Sequence, residues 1–203
     1  MRKILVLILM ASSWSVFGQT LTTLQTDSVM ELIDARVKST KTQSVDFKLV
    51  KNIKGLAKPI EQEGNLFFQN PNQLRYIMEG DRPWKMVVNG KDVYTKSGDE
   101  KVKKSGFAMK KVTDFILQSL NGESLKSKEF SKSFVLVDGQ LKVVLKPEVA
   151  MLKKYVAEIT ISFNNVYDVT NFVISQPNGN TTRYSFSNLK RNIVLKQSLF
   201  SLK

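Results

Sequence analysis

The strongest constraint on this chain is a period of two. From residue 45 onward, apolar and polar side chains alternate along one short run after another, and a turn signal closes most runs. Val45, Phe47 and Leu49 alternate with Asp46 and Lys48, and Leu66 and Phe68 flank Phe67. Leu74, Tyr76 and Met78 alternate with Arg75, Ile77 and Glu79, and Trp84, Met86 and Val88 with Lys85, Val87 and Asn89. Later runs cover 134–137, 141–145, 156–163, 169–174 and 182–189. Between the runs lie Asn70-Pro71-Asn72, Asn89-Gly90, Asp138-Gly139 and Pro177-Asn178-Gly179. Asn89-Gly90 and Asp138-Gly139 suit two-residue hairpin turns. Side chains at this spacing fall on one face of a pleated strand. The pattern predicts about ten or eleven strands in an antiparallel sheet or barrel.

Helical periodicity is scarce. Thr26 or Asp27 can cap a helix running to about Thr40, with Val29, Met30, Ile33 and Val37 on one face. A second helix is expected from about Met109 to Leu120, with Val112, Phe115, Ile116 and Leu120 as its stripe and Asn121-Gly122 at its end. A short third turn is expected at 148–153. A sheet with one apolar face must cover it, either by closing into a barrel or by curling part-way beneath helices. The inward set is bulky: Phe47, Leu49, Leu66, Phe68, Leu74, Tyr76, Met78, Trp84, Met86, Val88 and Phe134. Two readings of this set stand side by side. It packs as a dry core, or it walls a cavity whose Met and aromatic lining adapts to apolar ligands.

Composition excludes much chemistry. The 203 residues contain no His and no Cys. That removes Ser-His-Asp triads, imidazole and thiolate metal sites, thiol nucleophiles and disulfides. The single Ser-x-x-Lys pair, Ser187 and Lys190, lies in a run that alternates like a strand, where the two groups cannot meet as on a helical turn. No catalytic residue, cofactor or metal site is expected, and the chain reads as a binding protein, not an enzyme.

Arg2 and Lys3 precede the apolar run Ile4 to Met10, and Val16 and Gly18 are small enough for a signal-peptidase site. Residues 1–18 therefore read as a signal peptide cleaved before Gln19, leaving 19–203 as a single exported domain. The alternative, a membrane anchor, needs about 20 apolar residues, and Ser12, Ser13 and Ser15 interrupt this stretch. No Cys follows to carry an acyl anchor. The net charge of +13 fits a solvated Lys-rich surface or an anionic partner, and export argues against nucleic acid.

Residues 61 to 94 carry a resemblance. They read Glu61-Gln62-Glu63-Gly64-Asn65-Leu66-Phe67-Phe68-Gln69-Asn70-Pro71-Asn72-Gln73-Leu74-Arg75-Tyr76, then Pro83-Trp84-Lys85-Met86-Val87-Val88-Asn89-Gly90-Lys91-Asp92-Val93-Tyr94. A Gly-led strand, a Pro-Asn turn, an apolar-Arg-aromatic triplet and a strand closing on a Gly-Lys hairpin resemble the periplasmic outer-membrane lipoprotein carrier family, the LolA-like proteins.

The resemblance implies a mainly β fold with α: an incomplete, half-closed antiparallel β-barrel of about ten or eleven strands covered by two or three helices. It implies a periplasmic monomer that takes an acylated lipoprotein or lipid from an inner-membrane transport complex and gives it to an outer-membrane receptor. The inward set above would wall the cargo cavity. Met30, Ile33, Val37, Val112, Phe115, Ile116 and Leu120 would form the lid. One departure stands out: the family carries a basic residue immediately before the Pro-Asn turn, and here that position, ahead of Pro71, is Asn70. This leaves room for a paralogue moving another amphiphile. The rival reading is a β-sandwich envelope adaptor with a dry core and a basic surface. Arg75 and Lys85 are expected as solvated charges on the outer face, and the tail at 198–203 as a possible last strand.

Overall fold

The structure, a computed structural model, describes residues 19–105 and 125–202. The expected signal segment at 1–18 and the expected helix with Val112, Phe115, Ile116 and Leu120 lie outside those residues.

Among the described residues twelve strands, all paired antiparallel, form one sheet. They are β1 (Gln19–Thr20), β2 (Thr42–Asn52), β3 (Ile60–Gln69), β4 (Gln73–Met78), β5 (Trp84–Asn89), β6 (Asp92–Ser97), β7 (Lys103–Lys104), β8 (Phe130–Val137), β9 (Gln140–Pro147), β10 (Glu158–Phe163), β11 (Val169–Ser175) and β12 (Thr181–Arg191). The spatial order is β1-β8-β9-β10-β11-β12-β2-β3-β4-β5-β6-β7. Two meanders, β2 to β7 and β8 to β12, therefore join where the last strand pairs with β2. The edges β1 and β7 do not meet, so the barrel is incomplete, as the resemblance implied. The two extra strands beyond the expected count are two-residue edges too short to show a period in sequence.

Helix α1 (Thr23–Lys38) starts earlier than Thr26 because Thr22 and Gln25 cap it reciprocally. The Thr22 hydroxyl oxygen accepts from the Gln25 N–H, and the Thr22 N–H donates to Gln25 Oε1 at 2.9 Å. A single turn, α2 (Ala150–Lys153), follows β9 at the expected place. The Asp138-Gly139 loop joins β8 to β9 with φ of 52° and 74°, both positive as a type I′ turn requires. In the other hairpin Asn89 pairs with Asp92, so the loop is Gly90-Lys91, one residue later than expected.

The inner face of the sheet is built from cross-strand rows. One reads Val45, Leu66, Tyr76, Met86; its neighbours read Phe68, Leu74, Val88, Val93 and Phe47, Gly64, Met78, Trp84. These side chains make a first apolar cluster with Leu49. Gly64 has a specific reason to be glycine. A Cβ there would sit 2.0 Å from the Ile77 carbonyl oxygen and 2.6 Å from the tip of the Phe47 ring. The missing side chain lets Phe47 lie across β3 and stack on Tyr76 at 4.7 Å between centroids. Phe134 lies on the same inner face but five strands from Leu49, through the row Phe134, Val143, Ile161, Phe172, Tyr184, Leu49. It belongs to a second cluster on β8 to β10, against which α1 packs with Ile33, Val29, Met30 and Val37.

The outer face corrects two expectations. The tail does not add a strand: Gln197–Phe200 form a 3₁₀ turn that packs on β4 and β5 and buries Phe200 to 2% exposure. Arg75 is not a solvated charge. Its guanidinium donates at 2.7 Å to the Leu199 carbonyl, and burial lowers its pKa. Val87, beside Arg75 across the sheet, is buried on the same side. Alternation correctly places Arg75 outward but cannot show that a distant segment returns to cover it.

Candidate cargo site beneath the first helix

The candidate site sits at the seam between the two clusters. A cavity of about 100 Å³ lies beneath α1, bounded by the seam strands β2 and β12 and by β10 and β11. Ile33, Arg36 and Val37 come from α1, Gln43 and Val45 from β2, Ile161 and Phe163 from β10, and Val169 and Phe172 from β11. Phe186, Leu189 and Arg191 of β12, with Leu125 and Tyr167, complete the wall. Val45 belongs to the first cluster, with Phe186 and Leu189 packed on it, while Ile33, Ile161 and Phe163 belong to the second. A wider, open groove of about 590 Å³ runs along the other flank of α1, past Leu24 and Leu32.

Of the expected lid residues, Ile33 and Val37 line the cavity and Met30 packs against the second cluster. Of the expected wall residues, Phe47, Leu49, Leu66, Phe68, Leu74, Tyr76, Met78, Trp84, Met86 and Val88 lie together in or against the first cluster, beside the cavity instead of around it. Phe134 sits in the second. An aromatic chain links the cavity to that set: Phe186 stacks on Tyr184 at 6.2 Å, Tyr184 meets Phe47 edge-on at 5.7 Å, and Phe47 leads through Tyr76 to Trp84. Burial pushes the Tyr76 and Tyr184 phenols upward, so both stay neutral in ordinary buffers. Asn70, the turn position of the resemblance, donates its backbone N–H to the Lys41 carbonyl at 2.9 Å, tying that turn to the residues just after α1.

The charged end of the cavity is absent from the sequence reading. Asp168, at the end of the β10–β11 loop, accepts two hydrogen bonds from Arg36 and one from Arg191. The loop is shaped for this by Asn164, whose side-chain oxygen accepts from the Val166 and Asp168 N–H groups. Arg191 also donates to the Thr40 hydroxyl, which in turn donates to the Arg36 carbonyl at 2.9 Å. Burial pushes the Asp168 carboxyl up, but the two guanidiniums outweigh it and hold the group below its usual range. Arg36 is raised by its bond to Asp168, while burial lowers Arg191 despite the same partner.

A β-bulge places Arg191 there. In β12 the register slips between Ser187 and Lys190, where three steps along β12 match two along β2. One extra residue inverts the facing of all that follow. Tyr184 and Phe186 face inward before the bulge; Leu189 and Arg191 face inward after it. Asn188, at φ 52°, occupies the bulge and donates to Asp46 Oδ2 at 2.7 Å, while Asn65 donates to Asp46 Oδ1. Simple alternation from Phe186 would send Arg191 outward. A signal was present for its partner: Arg36 falls three residues after Ile33, within the apolar face of α1.

Among the described residues, the fold is an open antiparallel sheet with one long helix over an apolar space on its inner face. The chain belongs to the outer membrane lipoprotein carrier protein LolA family, whose pattern matches residues 38–203. No curated protein matches the chain. Among solved structures it is similar to a DUF1329 family protein from Desulfovibrio piger, at 12% identity, with 86% of this chain and 96% of that one covered and a TM-score of 0.48. It is also similar to a LolA superfamily protein from Nitrosomonas europaea, at 9% identity over 87% and 97% of the two chains with a TM-score of 0.47. LprF from Mycobacterium bovis aligns at 16% identity over 86% and 97%, with a TM-score of 0.45. At these scores the assignment rests on the family match.

Proposed function

We propose that this chain is a non-enzymatic carrier of the cell envelope. It holds the acyl chains of a lipoprotein, or of a related amphiphile, between α1 and the inner face of the sheet. The observation that carries the reading is the cavity at the seam: in a chain of this family, an apolar space lies beneath the one long helix among the described residues. In water each acyl CH₂ costs about 0.8 kcal/mol, and transfer into such a lining offsets most of that. The closed volume of about 100 Å³ is small for a long chain, so loading requires α1 to lift. The enlarged space would reach the bulky first cluster, Phe47 to Val88, through Val45 and Phe186. Export to the periplasm, a donor complex at the inner membrane and an acceptor at the outer membrane complete the proposed cycle.

Trp84 tests this directly, because Trp14 lies in the proposed leader and Trp84 is the other tryptophan. A neutral hydrophobic probe should bind saturably, be displaced by an acyl ligand and change Trp84 emission through the aromatic chain. Native mass spectrometry of protein isolated from its own envelope should show a co-bound lipid. Absence of saturable probe binding would overturn the carrier and favour the adaptor with a dry core.

A further inference from the structure

We propose that the cavity is a site for an amphiphile with an oxyanion head, with Arg36 and Arg191 as the head-group contacts; the proposal rests on the carrier reading above. The two charged residues of the lining are both arginines, and the acid that joins them, Asp168, stands behind them and outside the lining. Among the described residues, two guanidiniums against one carboxylate leave one positive charge in excess beside a mostly apolar space. Nε of Arg191 is buried and has no hydrogen-bond partner among the described residues. An unmet donor on a buried cation is costly, and an oxyanion is the acceptor that answers both the charge and the geometry. Gln43, the cross-strand partner of Arg191, adds a side-chain amide at the same end.

The rest of the lining fixes the other half of the ligand. Ile33, Val45, Ile161, Phe163, Phe172 and Phe186 present no hydrogen-bonding side chain, so an alkyl tail lies there and the head reaches the arginines. Burial lowers Arg191, the direction expected of a cation not fully compensated by its single acid. The β12 bulge makes the arrangement specific, since without it Lys190 and not Arg191 would face inward. A carboxylate from a free fatty acid and a phosphate from a glycerophospholipid share this chemistry.

The test displaces neutral N-phenyl-1-naphthylamine from the full chain with three ligands of equal tail length: dodecanoate, lauroyl lysophosphatidylglycerol and dodecanol. Both anions, or one of them, should displace the probe at concentrations about tenfold or more below the alcohol, the gain of one charge-assisted hydrogen bond. A preference for dodecanoate assigns a free acid; a preference for the lysolipid assigns a phospholipid head. Arg191→Gln should erase the gap between the anions and the alcohol, and Arg191→Lys should retain part of it. The wild-type comparison alone decides the matter if the variants do not fold. Equal displacement by all three ligands overturns the oxyanion site and leaves the carrier standing. Absence of probe binding overturns the carrier and the site together.

Discussion

Arg36 donates two hydrogen bonds, of 2.7 and 3.0 Å, to the carboxylate of Asp168, a residue 132 positions further along the chain. This pair, with Arg191, pins the C-terminal end of α1 to the β10–β11 loop and to the last strand. The Asp168 and Arg191 side chains are only 10% and 18% exposed, so neither charge is well served by water. Asp168→Asn strands two guanidiniums in that space and should cost about 3 kcal/mol in urea denaturation. Asp34→Asn, which breaks the more exposed Lys126–Asp34 pair, should cost about 1 kcal/mol or less.

The same cluster sets a pH dependence. The folded Asp168 carboxyl lies below its unfolded value of about 4, because its arginine partners outweigh its burial. Its contribution is complete above the unfolded value and lost as pH falls through the folded one. The stability gap between wild type and Asp168→Asn should therefore be constant at neutral pH and shrink below about pH 4. Urea midpoints of both proteins across that range measure it. A gap that persists unchanged at lower pH would contradict the assignment.

Gly64→Ala brings a Cβ to 2.0 Å from a backbone oxygen, a clash that no rotamer change relieves. We expect a loss of about 2 kcal/mol or more from overpacking, visible as a lower thermal midpoint. The Phe47–Tyr76 stack should also loosen, which near-ultraviolet circular dichroism reports.

Phe200→Ala should cost about 3 kcal/mol, the usual penalty for emptying a buried aromatic site. Hydrogen exchange should then rise in β4 and β5, where the tail packs, and not in β9 or β10. Arg75→Gln should give a weaker version of the same pattern, because it removes the tie to Leu199.

Met78 and Met86 separate a wall from a core. Met86 is 2% exposed, whereas Met78 is half-buried at the cluster margin. Met86→Glu should unfold or strongly destabilise the protein, since an unpaired charge cannot be accommodated there. Met78→Glu should keep a cooperative melt yet weaken probe binding several-fold. Retention of full binding by Met78→Glu would remove the first cluster from the loaded cavity.

Strand faces were legible because the period of two holds within each of the strands β2 to β5, so each inward residue could be named singly. The division of that face into two clusters was not. It follows from the return of β12 to β2, and pairing at such separation leaves no local mark. The charged end of the cavity was hidden for two reasons: Asp168 and Arg36 lie far apart in sequence, and the bulge at Asn188 reverses the facing that alternation assigns to Arg191. The 3₁₀ turn at Gln197–Phe200 is too short for a periodic signature. The capping box was readable in principle, since Thr22 stands three residues before Gln25.

The pairing of β12 with β2 also dictates when the protein can be finished. β2 is made long before β12, and until β12 follows it keeps one hydrogen-bonding edge unsatisfied. Arg191, the last residue of β12, completes the ion cluster only then. A chain that lacks β12 leaves the two meanders unjoined.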